Sequence, residues 1–212
     1  IGKQIAMLLI AVKKYSDINS VTFDEMLSLY IKINDEAKKN ESIEKEVFKY
    51  LNELENGNDI VRNEFKSITD ICVEGQKRIF DKMDIHWDTF THESDFVFGH
   101  ITKTILDKIN EKGRLKEDEN GRLYVDLTGY NIPTKTPVLV LTREDKTSLY
   151  PLRDIAYTIY KMNKNKDVNL IVLGEDQKVY MEQISAVMDI LGYTGPKLIS
   201  YSFVLLNGDK MA

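Results

Sequence analysis

The first part of the chain carries apolar residues at spacings of three and four, which is the period of an amphipathic helix. One stripe begins after Thr22, where Thr22 and Glu25 form a capping-box pattern with Val21 and Met26 placed as a hydrophobic staple. Further helices are predicted over residues 43–54 and 95–112. The longest stripe covers about six turns and consists of Val61, Phe65, Ile68, Cys72, Gly75, Ile79 and Met83. We therefore predict a largely helical region up to about residue 112.

The period of the apolar pattern changes at Gly113. Residues 115–117 and 122–127 flank Asp118-Glu119-Asn120-Gly121, and Asn-Gly is a strong hairpin signal. Beyond Pro137, apolar strands alternate with amphipathic helices: strands at 138–141, 168–173 and 198–206, and helices at 151–163 and 177–191. This alternation predicts a parallel sheet with right-handed crossovers, and hence an α/β fold.

Composition narrows the class of protein. The chain has 212 residues, 42% apolar and 30% charged, as in ordinary globular domains. Its net charge of -5 argues against a protein that binds nucleic acid mainly through a wide basic surface. Cys72 is the single cysteine, so no disulfide framework is expected and a reducing, cytoplasmic setting fits. The longest apolar run, residues 5–12, is far shorter than the roughly 20 residues that span a bilayer, and we expect no membrane contact.

Two strand–helix junctions carry candidate binding residues, because ligands of open parallel sheets collect where strands end and helices begin. Tyr150 and Asp154 lie at the first junction, and Gln177 lies at the second, after Gly174. A carboxylate, a phenol and an amide suit a planar guanidinium, which offers five donors in a fixed fork. A structural interpretation stays open for each junction. Asp154 in a first helical turn would complement the helix dipole, and Asp176 would cap the next helix.

A third feature follows the last predicted strand, at Asn207-Gly208-Asp209-Lys210. A lysine in such a loop can neutralise phosphate charge, although an exposed turn has the same pattern. The sequence contains no Walker loop, no Gly-x-Gly-x-x-Gly and no His-Glu-x-x-His. The three histidines, His86, His92 and His100, lack metal-ligand spacing, and we expect no metal site.

Several segments resemble the arginyl-tRNA synthetases, particularly the archaeal type. Residues 148–157, Ser-Leu-Tyr-Pro-Leu-Arg-Asp-Ile-Ala-Tyr, resemble the family signature, and residues 172–177 and 183–193 resemble its two next motifs. Lys210-Met211 resemble the start of the class I Lys-Met-Ser-Lys-Ser loop. Residues 1–6 are similar to the family segment that leads into a large insertion, and residues 115–127 also follow the family pattern. These motifs occur in the family's order and spacing.

The resemblance implies a fold and a set of site residues. Residues 137–212 would form the second half of a Rossmann-like parallel sheet, preceded by a largely helical insertion with a β-hairpin at residues 1–136. Tyr150, Asp154 and Gln177 match the positions that hold the arginine side chain. Lys210 matches the catalytic lysine that stabilises charge on the ATP phosphates, and the positions that bind ATP are Phe203, Val204, Lys210 and Met211.

The implied activity is that of an arginine–tRNA ligase. L-arginine would be activated to arginyl-adenylate by ATP with Mg²⁺, both as substrates, and then transferred to tRNA(Arg). No tightly bound cofactor is expected, and the protein is expected to be a cytoplasmic monomer.

The sequence also departs from the family. Tyr180 stands where the family usually has histidine, and Ala212 stands where the signature loop has its first serine. The ATP-binding His-Ile-Gly-His motif is absent from these 212 residues, and Ile1 and Ala212 look like the ends of an internal segment. We therefore expect that the 212-residue chain alone has no aminoacylation activity. Arginine-dependent ATP–pyrophosphate exchange by the purified chain would contradict this expectation.

Two alternatives remain at this point. One is a class I ligase that activates another amino acid. The other is a non-catalytic protein in which a nucleotide-binding half-domain carries a helical interaction module, with the stripe at residues 61–83 facing a partner.

Overall fold

A computed structural model describes residues 2–98, 101–164, 167–203, 205–206 and 209–210 of the chain. The chain divides into two compact units between Ser94 and Asp95. Each unit has its own set of secondary-structure elements.

The first unit is a bundle of four helices. Its helices are α1 (Lys3–Tyr15), α2 (Phe23–Ala37), α3 (Glu41–Glu55) and α4 (Asp59–Lys82). Residues 6–12 of α1 are buried on every side, because α1 contacts each of the other three helices. The longest apolar run of the sequence is thus the central helix of a bundle. Within the described part of the chain, no helix has the length and apolar character needed to cross a membrane.

Local sequence signals in the bundle are confirmed by the contacts they predict. The backbone N–H of Thr22 donates to the Glu25 carboxylate over 2.8 Å, which closes the capping box at the start of α2. Along α4, Val61, Phe65, Ile68 and Gly75 are buried. A Cβ atom at Gly75 would lie 2.1 Å from the ring of Phe23, so α4 and α2 approach closely at this glycine.

The long apolar stripe of α4 is buried in its first part and exposed at its end. Val61, Phe65 and Ile68 pack inside the bundle, whereas Ile79 and Met83 are exposed. This internal use removes most of the surface that a helical interaction module would need.

In the described residues of the second unit there are four helices and seven strands. In chain order its elements are α5 (Ser94–Phe98), α6 (Ile101–Glu111), β1 (Leu115–Glu117), β2 (Leu123–Asp126), β3 (Val138–Val140), α7 (Tyr150–Met162), β4 (Leu170–Gly174), a 3-10 turn (Glu175–Gln177), α8 (Lys178–Ile190), β5 (Lys197–Tyr201), β6 (Leu205–Leu206) and β7 (Asp209–Lys210). The helix predicted over residues 95–112 corresponds to α5 and α6, and Gly99 and His100 lie outside the described residues.

The α/β class is confirmed, while the sheet topology differs in one respect from the prediction. The predicted hairpin is present, since β1 and β2 pair in antiparallel orientation. We expected β3 to join the parallel sheet, but it pairs with β2 in antiparallel orientation, with Val125 opposite Leu139. The connection from β2 to β3 folds back on itself, so that β3 runs alongside β2. Its two ends are joined by a hydrogen bond from the backbone N–H of Leu127 to the carbonyl of Pro137.

The parallel part of the described sheets consists of β4 and β5. Their register places Gly174 opposite Tyr201, so the carboxyl ends of both strands meet at one edge. The last predicted strand, residues 198–206, is divided into β5 and β6, and β6 pairs in antiparallel orientation with β7.

One apolar core holds the second unit together. It joins residues of α6, the β2–β3 sheet, α7 and α8, among them Ile109, Val125, Leu141, Ile155 and Ile184. Ile171, Leu173 and Leu198 pack against this core from β4 and β5. The start of α7 and the junction between β4 and α8 are therefore positioned by the same packed interior.

Candidate functional site

The segment before α7 is tied to the antiparallel sheet by hydrogen bonds. Leu149 donates its backbone N–H to the carbonyl of Leu141 over 2.8 Å. The carbonyl of Ser148 accepts two guanidinium groups, one from Arg143 (Nη1, 3.0 Å) and one from Arg153 (Nη1, 2.6 Å). Arg153 is almost fully buried, at 5% exposure, in contrast to the usual exposure of arginine. Sequence reasoning did not identify these two arginines, which fix the backbone directly before Tyr150.

The position of Asp154 in α7 decides between two interpretations of this residue. The helix begins at Tyr150, with Pro151 second, so Asp154 is the fifth helical residue and no acid lies in the first turn. The interpretation of Asp154 as a first-turn partner of the helix dipole is therefore wrong, because that effect falls off within the first turn.

Asp154 instead interacts with a tyrosine of the neighbouring helix. The hydroxyl of Tyr180 in α8 donates to Oδ2 of Asp154 over 2.5 Å. The ring of Tyr180 also contacts the ring of Tyr150, with 5.3 Å between the ring centroids. Tyr150 is 56% exposed, whereas Asp154 and Tyr180 are half-buried. The three side chains form one cluster at the start of α7, which we name the tyrosine–aspartate cluster.

The electrostatics of this cluster favour a neutral tyrosine. Burial raises the pKa of Tyr180 above its ordinary value, and the charge and hydrogen bond of Asp154 raise it further. The phenol therefore remains protonated and acts as a donor. Two turns along α7, burial lowers the pKa of Lys161, and attraction to Asp154 partly offsets that effect.

The second junction is a tight turn between β4 and α8. A Cβ atom at Gly174 would lie 2.6 Å from the carboxylate of Asp176, so glycine leaves room for this side chain. Asp176 lies inside the 3-10 turn, and α8 begins at Lys178 with Gln177 at the capping position. The prediction that Asp176 caps the helix is wrong, since the extra 3-10 turn delays the start of α8.

Gln177 lies in this turn, and its amide nitrogen donates to Oδ2 of Asp176 over 3.1 Å. The structure thus brings Tyr150 and Asp154 together through Tyr180, while Gln177 contacts its own neighbour in the chain. The placement of Gln177 beside a bound ligand stays a prediction.

The remaining predicted residues follow β5. Phe203 is partly exposed, and the preceding Ser202 donates its hydroxyl to Glu175 over 3.3 Å, which links this segment to the turn after β4. The backbone of Lys210 lies in β7, and its side chain is outside what the structure describes. Val204 and Met211 also lie outside the described residues.

A separate cleft of about 500 Å³ lies beside α8 and β5. Residues of α8 that line it include Lys178, Met181 and Glu182. Among the predicted site residues that the structure describes, none contributes to its lining, so the cleft is distinct from the tyrosine–aspartate cluster.

Comparison with known proteins assigns the chain to a family. The model of the tRNA synthetases class I (R), catalytic domain, matches residues 1–211. The chain is 34% identical to the arginine–tRNA ligase of Methanocella arvoryzae, with 89% of this chain and 33% of that protein covered. It is 32% identical to the arginine–tRNA ligase of Methanothermobacter thermautotrophicus, over 100% of this chain and 37% of that protein.

Solved structures show the same fold at lower identity. The chain resembles the arginyl-tRNA synthetase of Thermus thermophilus with a TM-score of 0.72 at 18% identity, over 100% of this chain and 42% of that one. It resembles the enzyme of Plasmodium falciparum with a TM-score of 0.73 at 18% identity, over 97% and 35%. The chain spans about a third of the length of its curated relatives. From the match over residues 1–211 and the identity to these relatives, we conclude that the chain belongs to the arginine family of class I tRNA synthetases, within the catalytic domain.

Proposed function

We propose that the chain forms the arginine-recognising part of an arginine–tRNA ligase, and that Asp154 is the residue on which recognition depends. The observation that carries the proposal is the half-buried Asp154 carboxylate, which is held by Tyr180, whose ring also contacts the exposed ring of Tyr150. Tyr150, Asp154 and Gln177 would together surround the arginine side chain.

The chemistry of these three side chains matches a guanidinium. The carboxylate of Asp154 accepts N–H donors and supplies the opposite charge, and such charge-assisted bonds are about twice as strong as neutral ones. The exposed ring of Tyr150 offers a face on which a planar cation stacks. The amide oxygen of Gln177 adds one further acceptor, because the bond to Asp176 uses only the amide nitrogen.

For the reaction itself we propose the two steps of the family. The carboxylate of arginine attacks the α-phosphate of ATP and forms arginyl-adenylate, and pyrophosphate leaves with Mg²⁺. The arginyl group then passes to the terminal ribose of tRNA(Arg). Phe203, Val204 and Met211 would bind ATP, and Lys210 would neutralise charge on its phosphates, so catalysis would consist of positioning and charge stabilisation.

We further propose that residues 1–136 correspond to the family's insertion and residues 137–212 to the second half of its Rossmann-like domain. A cytoplasmic, monomeric protein that acts on tRNA(Arg) is part of the same proposal. The single cysteine, Cys72, supports a reducing compartment.

The direct test is the replacement Asp154→Asn in the full-length protein that carries this chain. The variant keeps the size of the side chain and an acceptor for Tyr180 but removes the charge. We expect the KM for arginine to rise roughly 30-fold or more, since a hydrogen bond to a charged group contributes about 1.5–3 kcal/mol. The KM for ATP should change little, and ATP–pyrophosphate exchange measures both constants.

Asp189→Asn is the matched control, because Asp189 is an aspartate of the same unit that also accepts a tyrosine hydroxyl, that of Tyr130, over 2.6 Å. The control should leave the KM for arginine unchanged. An Asp154→Asn enzyme with the wild-type KM for arginine would rule out the proposed role of Asp154.

The rival function, a class I ligase for another amino acid, is separated by the same assay. A panel of the twenty amino acids with the full-length wild-type protein that carries this chain should show ATP–pyrophosphate exchange with arginine above all others. Exchange that depends on a different amino acid would favour the rival.

A further inference from the structure

We propose that Tyr180 is a positioning residue for arginine binding: it orients the Asp154 carboxylate through one hydrogen bond and supports the ring of Tyr150. This inference rests on the proposed function, since it concerns the same site. Tyr180 itself does not need to touch the ligand for this role.

The geometry of the tyrosine–aspartate cluster is the first argument. Tyr180 contacts both predicted arginine-binding residues of the first junction, through its hydroxyl to Oδ2 of Asp154 and through its ring to Tyr150. Tyr180 belongs to α8, whereas Tyr150 and Asp154 belong to α7. One side chain therefore couples the orientation of two ligand-facing groups to the packing between two helices.

The second argument is the chemical state of the phenol. Burial and the adjacent carboxylate keep Tyr180 neutral, so its hydroxyl has a single proton to donate. That proton is directed at Asp154 Oδ2, which restricts rotation of the carboxylate about its last bond. An aspartate held in this way presents a fixed plane, and a planar guanidinium fork requires such a plane for a bidentate contact.

The third argument concerns the anchoring of Tyr180. Its ring packs against the core that joins α7 and α8, which includes Ile155 and Ile184. A hydroxyl on a ring that is fixed by apolar packing directs a hydrogen bond more precisely than one on a mobile surface side chain.

The test is Tyr180→Phe in the full-length protein, with ATP–pyrophosphate exchange and arginine as the probe. Phenylalanine keeps the ring and its packing and removes the hydroxyl alone. We expect the KM for arginine to rise about tenfold, as for one lost hydrogen bond to a charged group. The values of kcat and of the KM for ATP should stay within about twofold, because chemistry and nucleotide binding do not use this hydroxyl.

A matched variant separates positioning from a general structural effect. Tyr130→Phe removes an equivalent bond from a phenol to a carboxylate of α8, that of Asp189, and should leave the KM for arginine unchanged.

Three results would overturn the inference. They are an unchanged KM for arginine in Tyr180→Phe, an equal rise of the KM values for arginine and ATP, and an equal effect of Tyr130→Phe. A wild-type protein that shows no arginine-dependent exchange would instead overturn the proposed function. The two failures are thus distinguishable, because the inference is judged only against a wild-type enzyme that uses arginine.

Discussion

At the scale of the residue, Glu25 shows how a single carboxylate stabilises the start of a helix. Its Oε2 accepts both the backbone N–H and the hydroxyl of Thr22, each over 2.8 Å. These bonds favour the ionised form, and the backbone bond is the main cause that lowers the pKa of Glu25 below 4.5. A carboxyl group whose pKa is lowered by folding stabilises the folded state above its unfolded pKa, and that contribution disappears as the pH falls through the folded pKa.

We predict that Glu25→Gln weakens the start of α2 at neutral pH but not in acid. Glutamine still offers an oxygen acceptor but carries no charge, so it cannot reproduce the charge-assisted bonds. Amide hydrogen exchange at residues 22–26 should be faster in the variant at about pH 7, and the difference should shrink in acid, as the pH falls through the lowered pKa of Glu25 and its carboxylate takes up a proton. A difference that stays the same from neutral pH into acid would show that the charge of Glu25 has no part in the cap.

Residue contacts in the site were only partly predictable. Tyr150 and Asp154 stand out in the sequence because polar side chains follow an apolar strand at a known type of junction. The partner of Asp154, Tyr180, is 26 residues away on another helix. Which side chains meet there depends on how α7 and α8 are rotated against each other, and local spacing does not determine that rotation. The burial of Arg153 could not be predicted either. Arginine is rarely buried without hydrogen-bond partners, and these partners are brought to it only by the fold.

At the scale of the element, Gly75 controls the approach of α4 to α2. The ring of Phe23 occupies the space where a side chain at position 75 would begin. Glycine weakens a helix interior by about 1 kcal/mol relative to alanine, so its presence in the buried stripe of α4 reflects this contact.

We predict that Gly75→Ala lowers the free energy of unfolding, although alanine is the better helix former. Overpacking of a core costs about 1–3 kcal/mol, which should exceed the gain in helix propensity and leave a net loss of about 1 kcal/mol. Urea unfolding of the protein measures the change. Phe23→Leu in the Gly75→Ala background should recover part of the loss.

Ser67→Ala is the control for this prediction, since Ser67 is exposed on the same helix. It should have no effect or stabilise slightly. If Gly75→Ala were as stable as Ser67→Ala, the close approach of α4 and α2 would be of no energetic importance.

Elements with local start and stop signals were predictable, while pairing between elements was not. The capping box at Thr22 and the Asn120-Gly121 turn are determined by neighbouring residues, and both are confirmed. The strand at residues 138–140 was predicted, but its pairing with β2 was not. A short apolar strand fits either a parallel or an antiparallel neighbour, so tertiary packing decides.

At the scale of the whole molecule, the β4–β5 sheet has one packed and one exposed face. Ile171 and Leu173 face the core, while Leu170, Val172, Ile199 and Tyr201 are exposed, with Val172 at 60%. Parallel sheets are normally covered on both faces. The exposed face is therefore an apolar surface of the kind that promotes association.

We predict that the purified 212-residue chain self-associates through this sheet face. The paired replacement of Val172→Lys with Ile199→Glu places opposite charges at register partners and should reduce association. Sedimentation at several protein concentrations measures the effect.

The paired control Leu27→Glu with Ile31→Lys, on the exposed face of α2, should reduce association less. A wild-type chain that sediments as a monomer at all concentrations would contradict the prediction, which concerns this chain and not the full-length protein.

Domain division shows the limits of sequence reasoning at this scale. The boundary proposed at residue 136 follows the family's insertion, whereas the compact units divide between Ser94 and Asp95. Compactness depends on which apolar side chains converge, and Val125 of the hairpin shares a core with Ile155 of α7. The boundary at residue 136 is defined by resemblance to the family, and the division after Ser94 is defined by compactness. The insertion boundary therefore stays a prediction.

The paired guanidinium groups on the Ser148 carbonyl have a consequence for ligand affinity. Because Arg143 and Arg153 already immobilise the backbone before Tyr150, the entropy of ordering that segment is lost during folding and not during recognition. A preorganised binding loop of this kind leaves more of the contact energy available for affinity. Loosening either arginine would then weaken the proposed binding of a guanidinium ligand at Tyr150 and Asp154.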